Sequence, residues 1–283
     1  MSTQKKSLSV TNRRESCLSF KVFPGRGSAE QNNLVHSQAT GFFWRREQRT
    51  FLVTNLHNIT GWNYEINKPM STLGWLPEWI ALQVSVAFDE GSEFLRLKHE
   101  TWQIDLYDEN GNPKWLIHPI HGTDIDVGVL PIDNLDVDGR LYNEPVNTHD
   151  EWISFSGRVG DDAFVLGFPK GMDGGKGFPL WKRASIASET NFDVKNLPLI
   201  YIDTATREGM SGSPVVVLRR GWIMPDGEED FSKAVIGEGL NFLGVYSGRI
   251  GDDELGVQIG IVWKHTVIDE IITGGIAGTS VFP

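Results

Sequence analysis

A serine between two glycines is the residue of this sequence with the clearest potential for chemistry. Ser211 lies in the stretch Gly-Met-Ser-Gly-Ser-Pro at residues 209–214, and the apolar run 215–218 follows at once. This pattern predicts a tight turn that presents a hydroxyl at the start of a strand. A serine hydroxyl is a weak nucleophile, so acyl transfer would require a base, an orienting acid and an oxyanion site elsewhere in the chain.

A histidine and an aspartate are candidates for the base and the acid. His57 follows a β-rich run at residues 51–54 and precedes a polar segment, where its side chain can face a cleft. Asp126 leads into the apolar residues 127–130, so its carboxylate can be held against an imidazole and fix the tautomer of the base. Asp124 is the alternative acid, because residues two apart on a strand point the same way.

The order of these residues along the chain separates two classes of enzyme. Here the order is His57, Asp126, Ser211, whereas α/β-hydrolases run serine, acid, histidine. The α/β-hydrolase turn also requires Gly-x-Ser-x-Gly, and Ser213 stands at its last position. Order and motif both argue against an α/β-hydrolase.

Four segments resemble the chymotrypsin-like (trypsin-like) serine peptidases, most closely their disulfide-poor bacterial branch. They are residues 40–58, similar to the paired strands that end in the catalytic histidine, 126–130, similar to the acid strand, 209–214, similar to the nucleophile turn, and 242–248, similar to the strand that pairs with substrate. The resemblance implies a serine endopeptidase that cleaves polypeptides through an acyl-enzyme, with His57, Asp126 and Ser211 as its triad. It favours Asp126 over Asp124, because the acid of the family directly precedes its apolar strand.

The resemblance also implies the positions that surround the triad. The backbone N–H groups of Gly209 and Ser211 would form the oxyanion hole. The substrate-binding residues would be Ala205 at the base of the specificity pocket, with walls from Thr206, Glu208, Ser247, Gly248 and Arg249. No aspartate stands at position 205, so a small or apolar side chain, or an acidic one attracted by Arg249, is expected in place of a basic one. Met210 replaces the aspartate that zymogen-activated members carry before the serine.

Successive short apolar runs predict an all-β fold with a single helix near residue 270. The runs lie at residues 41–44, 50–54, 80–88, 101–107, 126–130, 152–155, 163–166, 182–188, 199–203, 215–218, 243–247 and 256–263. Apolar residues at helical spacing predict a helix from Thr266 to the glycines at 274 and 275. The resemblance implies two six-stranded antiparallel β-barrels of the chymotrypsin type. We expect an N-terminal tail at 1–30 with a short strand at 18–23, barrels at 31–145 and 146–283, and a linker at 141–150.

Composition limits the classes of partner and compartment. The chain has 283 residues and a formal net charge of -11, which argues against nucleic acid as a ligand. Cys17 is the only cysteine, so no intrachain disulfide can form. Residues 1–30 lack a continuous apolar core, which predicts neither a signal peptide nor a membrane span and favours a cytoplasmic protein. No metal or organic cofactor is implied, since His118 and His121 with Asp124 are weak evidence for zinc.

Two other functions fit the same residues. One is a catalytically silent module of the same fold that captures peptides, and the other is an esterase that uses the same triad. A peptidase without a secretion signal would also endanger its own cell. We therefore expect the enzyme to be held inactive, to be highly selective, or to be triggered by an activating or regulatory protein partner.

Overall fold

The computed structural model describes residues 13–27, 34–35, 37–88, 96–132, 139–249 and 258–280, with residues 34–35 described in backbone only. Its strands, in chain order, are β1 Ser19–Arg26, β2 Leu34–Val35, β3 Ala39–Arg46, β4 Arg49–Thr54, β5 Trp62–Asn63, β6 Lys68–Pro69, β7 Trp79–Phe88, β8 Arg96–Asp105, β9 Leu116–Ile117, β10 Gly128–Pro131, β11 Asp162–Gly167, β12 Leu180–Ile186, β13 Leu199–Asp203, β14 Pro214–Ile223, β15 Val235–Arg249, β16 Ile259–Lys264 and β17 Ile276–Ala277. The α-helices are α1 Leu56–Thr60 and α2 Thr266–Gly274. The chain is mostly β, which confirms the all-β prediction.

The strands from residues 162 to 264 form a closed six-stranded barrel in the order β11-β12-β13-β16-β15-β14. All of its neighbouring strands are antiparallel. Alternating residues of these strands point inward, and Val165, Ile202, Val217 and Val262 pack in one buried cluster. The barrel carries Ser211 just before β14.

The strands of the N-terminal half pair differently from the six-stranded barrel that the resemblance implies. Together with β17 from the end of the chain, they form a nine-stranded sheet in the order β17-β9-β10-β4-β3-β1-β7-β8, with β2 paired to β1. Among the residues that the structure describes, no pairing closes this sheet. The small strands β5 and β6 form a separate hairpin after α1.

Strand β1 lies in the interior of the N-terminal sheet. The sequence predicted a short strand at 18–23 inside a tail, but β1 pairs with β3 on one side and with β7 on the other. Its side chains Phe20 and Val22 are buried. The interpretation of residues 1–30 as a tail is therefore wrong for residues 13–27, because burial of alternating apolar side chains holds this segment in the core. Residues 1–12 and 28–30 lie outside the described residues.

The last elements return the chain to the N-terminal half. Helix α2 ends at Gly274, and the next residue, Gly275, takes a left-handed conformation with φ +59°. Strand β17 then pairs with β9. The apolar face of α2, including Ile268, packs in a cluster with Phe42 and Trp263 from the two halves. The predicted terminal helix is thus present, and it lies against both halves of the molecule.

The connection between the two halves is well packed. In the predicted linker 141–150, Asn143, Val146 and His149 are buried. The side chain of Asn143 donates to the carbonyl of Cys17 at 2.6 Å. The predicted strand at 152–155 does not form, and only Trp152 makes an isolated bridge there. No helix in the described part of the chain is long and apolar enough to cross a membrane.

Candidate active site

His57 lies on the first turn of α1, immediately after β4. The buried side chains Leu56 and Ile59 hold this short helix against β10. Gly128 permits the close approach, since a Cβ there would lie 2.5 Å from Cδ1 of Ile59 and 3.4 Å from Cα of Leu56. Because Asp126 stands two residues before Gly128, the same contact brings the carboxylate beside the imidazole.

Asp126 binds His57 through both carboxylate oxygens. Nδ1 of His57 lies 2.7 Å from Oδ2 of Asp126, and the backbone N–H of His57 donates to Oδ1 at 3.0 Å. A carboxylate only accepts, so we assign the imidazole proton to Nδ1, which leaves Nε2 as the basic nitrogen. Asp124 is exposed. The structure therefore brings Asp126, and not Asp124, to the histidine.

Two further side chains hold Asp126 in place. Nδ2 of Asn55 donates to the backbone carbonyl of Asp126 at 2.7 Å. Oγ of Ser247 donates to Oδ2 of Asp126 at 2.6 Å. The sequence analysis placed Ser247 in the substrate strand and missed this contact, because nothing in the local pattern relates residues 121 positions apart.

The Asp126 carboxylate makes His57 a stronger base. Burial, the largest influence, lowers the pKa of the His57 imidazole, but the charge of Asp126 and its hydrogen bond raise it, and the resulting pKa lies above the ordinary value of 6.5. An imidazole with a raised pKa accepts a proton from a hydroxyl more readily, provided that the pH keeps it neutral beforehand.

The Ser211 turn packs directly against the strands that precede His57. The carbonyl of Ser211 accepts from the N–H of Thr40 at 2.9 Å and from Nδ2 of Asn58 at 3.3 Å. A Cβ on Gly212 would lie 2.2 Å from the Thr40 carbonyl oxygen, so only glycine fits here, at φ +84°. The Ser211 turn thus binds the residue that follows His57. The Ser211 hydroxyl itself makes no hydrogen bond to His57 within the described residues.

Two backbone N–H groups on this turn have no acceptor among the described residues. The N–H of Met210 donates to the carbonyl of Arg207 at 3.3 Å, and that of Gly212 donates to the carbonyl of Tyr246 at 2.9 Å. The N–H groups of Gly209 and Ser211 donate to no residue that the structure describes. They are the two donors expected for an oxyanion hole. Met210 is buried in the barrel core.

The predicted substrate strand extends beyond its neighbour. Strand β14 pairs with β15 only as far as Pro214 opposite Val245. Ser247 and Gly248 continue past that point; Gly248 pairs with Ile261 of β16, and Ser247 lies at an irregularity in that pairing. An extended peptide could add to β15 here as a further strand. The structure thus places the predicted substrate strand next to the Ser211 turn.

The predicted pocket contains a buried pair of hydroxyl groups that the sequence analysis missed. Thr206 is 1% exposed, and its hydroxyl is hydrogen-bonded to that of Tyr246, which directly precedes Ser247. A Cβ on Gly260 would lie 2.8 Å from the Tyr246 ring, so the ring packs closely against β16. Ala205 is partly buried and Glu208 is exposed. Tyr246 could have been suspected only from its position beside Ser247.

The ring nitrogens of His118 are both bonded to neighbouring groups. Nε2 of His118 lies 2.7 Å from Oε2 of Glu270. Nδ1 of His118 accepts from the N–H groups of Ile120 and His121 at 3.2 Å each. Both nitrogens of His118 are therefore engaged, as expected for a loop residue, and no metal is needed to satisfy them.

No family model matches the sequence, and no curated protein is significantly similar to it.

Proposed function

We propose that the chain is a serine endopeptidase of the chymotrypsin type. The observation that carries the proposal is the pair of contacts between Asp126 and His57, beside a glycine-bounded Ser211 turn with two unused N–H groups. In this proposal the closed barrel is the second barrel of that fold, and the nine-stranded sheet corresponds to the first. The cleft lies where the two meet.

Each group has one role in the proposed reaction. His57 Nε2 removes the proton from Ser211 as Oγ attacks the scissile carbonyl. Asp126 keeps the imidazole oriented and stabilises the imidazolium that forms. The N–H groups of Gly209 and Ser211 bind the oxyanion of the tetrahedral intermediate. The imidazolium then protonates the leaving amine, and water attacks the acyl-enzyme by the same path in reverse.

The substrate is a polypeptide that pairs with β15 at Ser247 and Gly248. We place its specificity-determining side chain near Ala205, beneath which the Thr206 and Tyr246 hydroxyl groups are buried and bonded to each other. Regulation by an activating partner is part of the same proposal. The resting enzyme lacks the bond between Ser211 and His57, so binding of substrate or partner would have to bring the two into contact.

A fluorophosphonate probe tests the proposal, because it reacts with an activated serine whatever the natural substrate is. We expect an adduct on Ser211, mapped by mass spectrometry, that is lost in Ser211→Ala and in His57→Ala. Ser213→Ala is the matched control, since Ser213 lies on the same turn but is buried with no hydrogen-bond partner for its hydroxyl. Labelling of Ser211 that persists at the wild-type rate in His57→Ala would contradict the proposal.

The silent peptide-binding module is the second candidate. The observation that favours it is the absence of a hydrogen bond between the Ser211 hydroxyl and His57 in the structure. A module of this kind would bind peptides along β15 with the same affinity in wild type and Ser211→Ala, and would form no adduct. Turnover of peptide amides, compared with esters, separates the peptidase from an esterase.

A further inference from the structure

A second cluster of polar side chains lies where the chain first meets the connection between the two halves. Glu15 lies on the short 3-10 turn Arg14–Cys17 that leads into β1, while His149 and Glu151 follow the turn Val146–Thr148. One ligand atom from each of the three lies within 4.8 Å of the others. Glu15 and His149 are each only 4% exposed. Two buried groups and one surface carboxylate thus converge.

His149 has one nitrogen bound and one nitrogen without a partner. Its Nδ1 lies 2.9 Å from Oε1 of Glu144, so we assign the proton to Nδ1. Nε2 then carries a lone pair, and it is buried with no hydrogen-bond partner. The contrast with His118, whose nitrogens are both bonded, is direct. A histidine that donates from one nitrogen to a carboxylate and offers the other is the usual arrangement of a metal ligand.

The charged side chains around His149 are mostly carboxylates, which favour the binding of a cation. Arg14 is the one guanidinium among them, and it contacts Glu144, Asp150 and Glu151. The buried carboxylate of Glu15 makes no ion pair or hydrogen bond with any described residue. Four carboxylates, those of Glu15, Glu144, Asp150 and Glu151, thus surround His149 and Arg14. A divalent ion would offset the negative charge of these carboxylates and supply a partner for Nε2 of His149.

We propose that Glu15, His149 and Glu151 bind a divalent first-row transition-metal ion such as Zn²⁺, with Glu144 as the carboxylate that orients His149. An imidazole nitrogen with carboxylate oxygens suits Zn²⁺ and its neighbours, whereas Mg²⁺ and Ca²⁺ prefer oxygen ligands alone. Ligand atoms in a tetrahedral zinc site lie about 3.3–3.6 Å apart. The exposed side chain of Glu151 can rotate inward to reach that spacing. The site is independent of the proposed peptidase activity.

The site would join two segments that are far apart in the chain. Glu15 and His149 are 134 residues apart in sequence. A metal bound by both would fasten the start of β1 to the connection between the halves. The expected consequence is a structural metal that stabilises the fold, since ligand binding to the native state alone raises its stability.

Zinc binding to the full chain is the first measurement. The protein is freed of metal with a chelator and titrated with Zn²⁺ by calorimetry in a His57→Ala background, which removes the imidazole of the candidate active site. We expect one equivalent to bind. His149→Gln should weaken binding by at least 100-fold, and Glu144→Gln by about 10-fold to 100-fold. His121→Gln is the matched control, because this histidine lies in a loop outside the cluster, and it should bind as the parent does.

Thermal unfolding gives a second readout. At roughly a hundredfold excess over its dissociation constant, Zn²⁺ should raise Tm by about 5 °C in the parent and in His121→Gln, but not in His149→Gln or Glu15→Gln. Mg²⁺ should give no shift. Glu15→Gln keeps the test decisive if His149→Gln fails to fold. Absence of stoichiometric zinc binding, or equal binding by Glu15→Gln and the parent, would overturn the site. Labelling of Ser211 with the probe is scored separately, so failure here leaves the peptidase proposal standing.

Discussion

Ser247 Oγ and His57 Nδ1 bind the same carboxylate oxygen, Oδ2 of Asp126, at 2.6 and 2.7 Å. Two donors on one oxygen fix its position relative to the imidazole. Because the Ser247 hydroxyl also binds this negatively charged oxygen, the effect of Asp126 on the pKa of His57 depends on Ser247, which lies in the opposite half of the molecule. Ser247 is therefore a positioning residue for the proposed reaction.

Removing the Ser247 hydroxyl should slow the reaction of Ser211. We expect Ser247→Ala to lower the rate of fluorophosphonate labelling roughly tenfold, because a hydrogen bond to a charged group contributes about 1.5–3 kcal/mol. The charge of Asp126 would then act on His57 alone, so the pH midpoint of labelling should move upward. Ser247→Thr, which retains a hydroxyl, should restore most of the rate. An unchanged midpoint in Ser247→Ala would show that the contact does not influence His57.

The pH dependence of labelling follows from the raised pKa of His57. The rate should rise with pH through that pKa, with a midpoint above 6.5, because only the neutral imidazole accepts a proton. Asp126→Asn should move the midpoint downward and lower the rate by roughly four orders of magnitude. A midpoint in the wild type at or below that of Asp126→Asn is the contrary result.

The same pKa makes a prediction for stability. The folded-state pKa of His57 lies above its unfolded value, so the ion pair with Asp126 contributes fully below about pH 6.5 and is lost as the pH rises through the folded-state pKa. Urea unfolding should therefore show a larger stability difference between wild type and Asp126→Asn at pH 5.5 than at pH 8.5. These pH values lie about one unit below and about two units above the ordinary pKa of histidine. A difference that grows with pH would refute the assignment.

The backbone at Gly209 can be tested with a matched glycine. Gly209→Ala places a Cβ 2.4 Å from the Phe168 carbonyl oxygen at φ +90°, so the turn must move, and the proposed oxyanion donors must move with it. We expect labelling to fall by about 10² to 10³. Gly221 has φ +101° and nothing within 4 Å of an added Cβ, so Gly221→Ala carries backbone strain without the collision. It should label like the wild type, and an equal loss in both would point to general destabilisation.

The hydroxyl pair in the predicted pocket should behave as a unit. Tyr246→Phe leaves the buried Thr206 hydroxyl without its partner, at a cost of about 1–3 kcal/mol in the free energy of unfolding. Adding Thr206→Val removes the orphaned group, so the double variant should be less destabilised than the sum of the two single variants. Urea unfolding of all four proteins measures this. Strict additivity would mean that the two hydroxyl groups do not interact.

Local sequence patterns were sufficient to find the candidate triad. Gly209 and Gly212, which flank the Ser211 turn, both have positive φ values. His57 and Asp126 lie beside the ends of apolar runs. The local pattern left Asp124 open, the family resemblance favoured Asp126, and the structure places Asp126 at the imidazole. These signals are visible because each depends on a few neighbouring residues.

The features that the sequence analysis missed depend on distant segments. The central place of β1 follows from its pairing with β3 and β7, which the polar residues around it conceal. The interaction of Ser247 with Asp126, and the convergence of Glu15 with His149, join residues more than a hundred positions apart. Single-sequence patterns carry no record of such contacts. The open path of the N-terminal sheet is a difference of the same kind.

The pairing of β17 with β9 makes the closed barrel an insertion within the N-terminal sheet. During synthesis, β1 to β10 emerge first, yet the edge of β9 that β17 covers stays open until more than a hundred further residues have been made. An uncovered strand edge invites pairing with other chains. The barrel, whose strands are contiguous from residue 162 to 264, can complete itself earlier. Vectorial folding would therefore finish the later half before the first, and ribosome-bound chains stalled before residue 276 would be the form most exposed to aggregation and to chaperone capture.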